Sequence, residues 1–210
     1  MPPASPRVAL MLDIEVGFSR HTDIYSGAVA YAQEQNWEVT VDEFADDSLP
    51  ARRGKPAPYD GVIARATRKL AERAGKHRIP VVNVWNNSPV REKLPGVFPD
   101  YRKAARLYAE HLLARGLIRF AALIHRTQGH QELMGAFRQT IREAGHEVMV
   151  GNTPLSASKN LTNWRTTQKA IGRWMDRFDL PIGVLVGSEP TGRIVAQMCR
   201  HRGWLVPDDV

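Results

Sequence analysis

FAALIHRTQGHQELMGAFRQTIREAGHEVMV, residues 120–150, reads as strand, helix and strand in immediate succession. The run 120–124 is short and wholly apolar, as a strand buried on both faces is. Leu133, Phe137, Ile141 and Ala144 then recur at intervals of three and four, one stripe of a helix, and Gly145 stops it. Extended structure resumes over 146–150. Two strands joined by a helix lie parallel, so this stretch alone predicts a parallel sheet covered by helices.

The same rhythm continues outward on both sides. Downstream, Trp164, Thr167, Ile171, Trp174, Met175 and Phe178 form a second stripe, followed by a strand over 182–186. Pro190 then opens a helix bearing Ile194, Val195 and Met198, which Gly203 closes. Upstream, Asp100 is placed to cap a helix over 101–115, with Ala105, Tyr108, Ala109 and Leu112 inward and Gly116 as its stop. Strands are predicted at 7–12, 60–64 and 80–84, and helices at 22–35, with Ile24, Ala28 and Tyr31 on one face, and at 67–74. Residues 37–44 alternate Trp, Val, Val, Phe and read as a strand, while 45–59, with three prolines, reads as an irregular surface segment. The fold class predicted is α/β, with helices on both faces of parallel sheets.

Composition narrows the function classes. The chain has 210 residues, 43% hydrophobic and 24% charged, enough for a sizeable core in one or two domains and unlike a disordered chain. No apolar run approaches the ~20 residues of a membrane span. The start MPPASPR lacks the features of a secretory signal, and the single Cys199 cannot form an internal disulfide. Both point to the cytoplasm, and Cys199 itself reads as a small buried hydrophobe. A formal charge of +7 is spread along helix faces without any block of five basic residues, which predicts only weak, salt-sensitive attachment to DNA.

Most catalytic motifs are absent. The turn after the first strand, DIEVGFSRHT, has one glycine, Gly17, where a dinucleotide fold needs three. There is no phosphate-cradling P-loop, no Gly-x-Ser-x-Gly elbow, and no phospho-acceptor Asp at the third strand, which ends Ile63, Ala64, Arg65. The seven histidines show no ligand spacing, so neither a metal nor another cofactor is expected; His125 and His130 read as a solvated loop. What remains is the set of residues at the strand ends, where open α/β sheets bind ligands. It comprises Asp13, Glu15, Phe18 and Arg20; Arg65; Trp85, Asn86 and Asn87; His125 and Arg126; and Ser188 and Glu189. Carboxylates, amides, guanidinium groups and aromatic rings suit a sugar, whose hydroxyls need paired donors and acceptors while its C–H face packs on a ring. An alternative remains open: a small α/β enzyme acting on a polar small molecule, with Asp13 or Glu15 as general base.

From residue 60 onward the order of segments carries a resemblance. DGVIAR, IPVVNVW, PGVFPDYRKAARLYAEHLLARGLIRFAALI and PIGVLVGSEPTGRIVAQMCRHRGWLVPDDV follow the rhythm of the sugar-sensing domain shared by lactose-repressor-like regulators and periplasmic sugar-binding proteins. Six residues before the first strand leave no room for an N-terminal DNA-binding headpiece, and Asn163-Trp164, Arg173-Trp174-Met175 and Pro181-Ile182-Gly183 look like the activators of xylose operons. In that class the sensor comes first and an AraC-type helix-turn-helix pair last.

The resemblance implies a type I periplasmic-binding-protein-like fold of two lobes around a sugar cleft, 1–100 and 101–210, hinged near Asp100. It implies a transcription regulator and not an enzyme, with a pentose effector, xylose foremost. The ligand-binding residues it implies are Asp13, Glu15, Phe18, Arg20, Asp100, Trp164 and Glu189. DNA would be contacted only through a C-terminal region absent from this chain, and a homodimer is consistent with the class. Departures are Ser188-Glu189 in place of Asn-Asp, Leu133 in place of Arg, and Tyr101 in place of Asn. The chain ends before the strand that usually carries Gly-x-Asp-Asn, so the second lobe is expected to be incomplete.

Overall fold

Every described strand runs parallel to its neighbours, in two separate sheets belonging to two units, Met1–Phe98 and Pro99–Val210. The computed structural model describes residues 5–14, 19–125, 127–153 and 161–210.

In the first unit, β1 (Arg7–Met11), β2 (Glu38–Val41), β3 (Gly61–Ala64) and β4 (Val81–Asn83) lie in the order β2-β1-β3-β4. The period of two along β1 divides its side chains between two cores. Val8, Leu10 and Leu12 pack with Ile24, Tyr25, Ala28 and Val29 of α1 (Ser19–Glu34). Ala9 and Met11 face the other way, with Val62, Ala64, and Leu70 and Ala74 of α3 (Arg68–His77). Helices therefore cover both faces. The Thr67 hydroxyl accepts the Leu70 N–H at 3.0 Å and starts α3 as an N-cap. Its end is unusual: Arg78 occupies the left-handed region, φ 57°.

Three expectations need correction here. β2 is shorter than 37–44 and lies at the sheet edge, so Trp37, Val41 and Phe44 are exposed. Alternation of large apolar residues marks a sheet surface, but it does not say whether another layer covers it. Tyr31 likewise points outward at 52% exposure, and Ala32 takes the buried position. The segment after β2 is not wholly irregular: α2 (Ala45–Ser48) buries Ala45, with Leu49 following it into the core.

The second unit has β5 (Phe120–His125), β6 (Val148–Thr153) and β7 (Gly183–Val186) in the order β6-β5-β7. β5 is central and almost fully buried. Its Phe120, Ala122 and Ile124 join Ala105 and Ala109 of α4 (Tyr101–Ala114) and Leu133, Phe137 and Ile141 of α5 (Gln128–Glu143). Its Ala121 and Leu123 join Ile171, Trp174 and Met175 of α6 (Leu161–Met175) and Val195 and Cys199 of α7 (Glu189–His201). The stripes predicted for α5, α6 and α7 are thus core-facing except at Ala144, which follows α5 and is exposed, and Trp164, which is half-buried; Tyr108 of α4 is exposed as well. β6 begins later than predicted because the His146 N–H returns to the Ile141 carbonyl at 3.1 Å, closing the helix end before the strand starts. Gly116, Gly145 and Gly203 end α4, α5 and α7 at φ between 72° and 84°, a conformation glycine adopts without steric cost.

Candidate functional site

Open α/β sheets bind ligands beyond the C-terminal ends of adjacent strands whose connections depart in opposite directions. In the first unit that place is the gap between β1 and β3. Asp13, two residues past β1, meets Arg65, the residue after β3: Arg65 Nη1 donates to Asp13 Oδ2 at 2.9 Å, with both side chains about one-third exposed at 32% and 31%. The Arg65 guanidinium also lies over the Trp85 ring, 4.9 Å from its centroid. His21 Nδ1 approaches the Asp13 carbonyl at 2.6 Å, linking the start of α1 to the same exit loop, and the Ile14 N–H donates to Glu43 Oε1 at 3.4 Å.

Beneath this group lies Asn83, fully buried at the end of β4. Its Oδ1 accepts from the Ala66 N–H at 3.2 Å and the Trp85 N–H at 3.0 Å, and its Nδ2 donates to the Trp85 carbonyl at 3.1 Å. One amide therefore fixes the exits of both β3 and β4. Ser88 adds a bond from its hydroxyl to the Ala66 carbonyl at 2.6 Å. Asn86 is 3% exposed, and its amide nitrogen and oxygen have no protein partner among the described residues; nor has Arg65 Nε. Buried polar groups normally carry a hydrogen bond, so these atoms are the ones a ligand or water would satisfy.

In the second unit the corresponding place is at the ends of β5 and β7, where the chain has crossed from one side of β5 to the other. His125 ends β5 and stacks on His130, centroids 5.4 Å apart. Ser188, before α7, shares a bond with the Thr191 hydroxyl at 2.9 Å and stands 3.5 Å from His125 Nε2. That separation is at the outer limit of a hydrogen bond, so Ser188 is not set up as a nucleophile against His125.

The residues expected from the sequence are distributed between the units. Asp13 and Arg20 belong to the first; Arg20 is exposed on the first turn of α1. Asp100, Trp164 and Glu189 belong to the second. Asp100 is exposed and caps α4, accepting the Lys103 N–H at 2.9 Å. Trp164 is half-buried on the first turn of α6, and Glu189 is exposed and ion-paired with Arg193. Glu15, Phe18 and Arg126 lie outside the described residues. Asn83, His21 and Glu43 are not singled out by sequence reasoning. Only a polar residue ending the apolar run of β4 hints at Asn83, and nothing local marks the other two. Among the described residues no three His, Cys, Asp or Glu side chains group as a metal site.

Residues 109–210 match a family model described as a periplasmic binding protein-like domain. The xylose operon regulatory protein of Escherichia coli (strain K12) is 24% identical over 96% of this chain and 52% of that protein, so the chain spans about half the length of the curated relatives it matches. Among solved structures, a xylose-binding transcription activator superposes with a TM-score of 0.76 at 19% identity, covering 99% of this chain and 53% of that one. A LacI-family transcriptional regulator from Rhizobium etli gives 0.72 at 20% identity, covering 99% and 77%. The chain is homologous to the xylose operon regulatory protein, and its fold is that of the periplasmic-binding-protein-like, LacI-type α/β domains.

Proposed function

We propose that this chain is the sugar-sensing part of a transcription regulator, that its effector is a pentose, and that it is not an enzyme. The observation that carries the reading is the Asp13–Arg65–Trp85 group at the ends of β1, β3 and β4. A carboxylate, a guanidinium and an aromatic ring held side by side offer an acceptor, several donors and an apolar face, the three things a sugar ring needs. The orphaned amide of Asn86 adds capacity for a further hydroxyl. Glu15, Phe18, Arg20, Asp100, Trp164 and Glu189 are kept as candidate sugar contacts, Asp100 doubling as a helix cap. The enzyme alternative has less support, because Asp13 already gives one oxygen to Arg65 and the Ser188–His125 spacing is too long for an activated pair. We further assign a cytoplasmic location, a homodimeric state, no cofactor, and sequence-specific DNA reading to parts of the regulator outside this chain.

Thermal unfolding in the presence of xylose, arabinose, ribose and glucose tests the reading. A ligand at about a hundredfold above its Kd adds about 2.7 kcal/mol to the native state, a rise of several degrees in Tm for a domain of this size. One pentose is expected to raise Tm and to be matched by heat in calorimetry. No shift with any of the four sugars overturns the proposal.

A further inference from the structure

The charge of the first unit is strongly polarised along the chain. Residues 52–78 hold nine of the thirteen Lys and Arg residues found in 1–98 but only two of its twelve carboxylates. Arg65 lies apart, at the strand ends with Asp13, while Arg68, Lys69, Arg73, Lys76 and Arg78 lie on or just after α3 and hydrogen bonds bring the segment before β3 against it. Arg73 Nη1 donates to the carbonyls of Asp46, Asp47 and Leu49 at 2.8, 3.0 and 3.1 Å, Arg53 Nε donates to the Lys76 carbonyl at 3.2 Å, and His77 Nε2 meets the Pro50 carbonyl at 2.8 Å. These links lay segment 46–53 along α3. Some of the cations that result are compensated: Lys69 and Arg73 pair with Asp47, and Lys76 with Glu72. Arg52, Lys55, Arg68 and Arg78 are exposed and take no ion pair among the described residues.

Arg78 carries a second argument. Where α4, α5 and α7 end with a left-handed residue it is glycine, Gly116, Gly145 or Gly203; α3 ends with an arginine at φ 57°. A side chain there is strained relative to glycine, and strain that a fold tolerates clusters where the side chain has a use. Complementing the helix dipole accounts for Lys76 and His77 in the last turn. It does not account for Arg52, Lys55 or Arg68.

We propose that this face, α3 with residues 52–55, docks on the phosphate backbone of duplex DNA without reading sequence. Cations spread over an exposed helix and the segment beside it match the regular phosphate charge of a duplex, whose neutralisation releases counterions. The choice of DNA among polyanions rests on the regulator reading above; that reading is tested by sugar binding, so either can fail without the other.

The test is fluorescence anisotropy of the chain with a labelled duplex of arbitrary sequence, titrated with salt. The triple variant R52A/K55A/R78A removes exposed side chains that have no ion-pair partner among the described residues, and a melting curve confirms that it folds. It is expected to bind about tenfold or more weakly at low salt, with a log K against log salt slope shallower by about 0.9 for each phosphate no longer neutralised. The control R102A/K103A/R106A removes the same charge from the exposed face of α4, in the unit that holds most of the net charge. It is expected to bind within about twofold of the parent, since every cation of the α3 face is still in place to neutralise phosphate. Equal weakening in the two variants, no binding by the parent at low salt, or tighter binding to phosphatidylserine vesicles than to duplex would each overturn the proposal.

Discussion

Asp13 and Arg65 are 52 residues apart in the chain, and their side chains meet at 2.9 Å across the gap between β1 and β3. Because both are about one-third exposed, the pair contributes at most about 1 kcal/mol to stability after solvent screening. Its removal should therefore be felt in binding before folding. Arg65→Met is expected to lower Tm by no more than a few degrees while weakening pentose binding about tenfold or more, the loss of one charge-assisted hydrogen bond. Arg65→Lys keeps the charge near Asp13 but gives up the flat packing on Trp85, so an intermediate affinity is expected. Calorimetry on both variants decides it; unchanged affinity in Arg65→Met removes the pair from the site.

How far this is legible in the sequence follows from the range of each signal. The β5–α5 unit can be read because both its periods are local: an apolar strand run, then Leu133, Phe137 and Ile141 at helical spacing. Arg65 and Trp85 can be recognised as strand-end residues by the same reasoning. That Arg65 lies over Trp85 and pairs with Asp13 cannot, since three separate strands must be ordered before those side chains meet. β2 misleads as to its environment, because Trp37, Val41 and Phe44 carry the pattern of a covered strand on an uncovered edge.

Asn83 is the keystone of the first unit's exit loops. Asn83→Ala leaves the Ala66 and Trp85 N–H groups without their partner, while the Trp85 carbonyl keeps the Ser88 N–H at 3.0 Å, and should cost about 2 to 3 kcal/mol. Urea unfolding reads this directly, and faster hydrogen exchange is expected at 64–66 and 84–88 in particular. A cost under about 0.5 kcal/mol would show that water replaces the amide without penalty.

Acid should weaken the first unit. Hydrogen bonding to the Arg7 guanidinium holds the Asp60 carboxyl below its ordinary 3.8, helped by the Arg7 N–H at 2.9 Å. For Asp42, burial pushes upward but is outweighed by the Ser48 and Tyr59 hydroxyls and the Phe44 N–H, leaving a net lowering. A carboxyl with a folded pKa below its unfolded one contributes stability that is present above the unfolded value and is lost as pH falls through the folded one. Stability is thus expected to decline below about pH 4, and Asp60→Asn should flatten that decline. An identical pH dependence in the variant would contradict the assignment.

Cys199 should report on opening of the second unit. Burial raises its thiol pKa, against a smaller opposing effect of Arg202, so thiolate is scarce at neutral pH and the sulfur is shielded as well. Alkylation should be slow in the native chain and accelerate with urea in step with loss of structure around Val195 and Trp174. Fast labelling in buffer would mean that the α6–α7 face opens without global unfolding.

β5 serves two cores at once, sending Phe120, Ala122 and Ile124 to one side and Ala121 and Leu123 to the other. Inserting or deleting a single residue within it would exchange those sets, pressing phenylalanine into a place shaped for alanine and emptying the place it left. Neither side could absorb the error by turning to solvent. Length changes in this chain's descendants should accordingly be found in its connecting loops and at the open edge by β2, and never inside that strand.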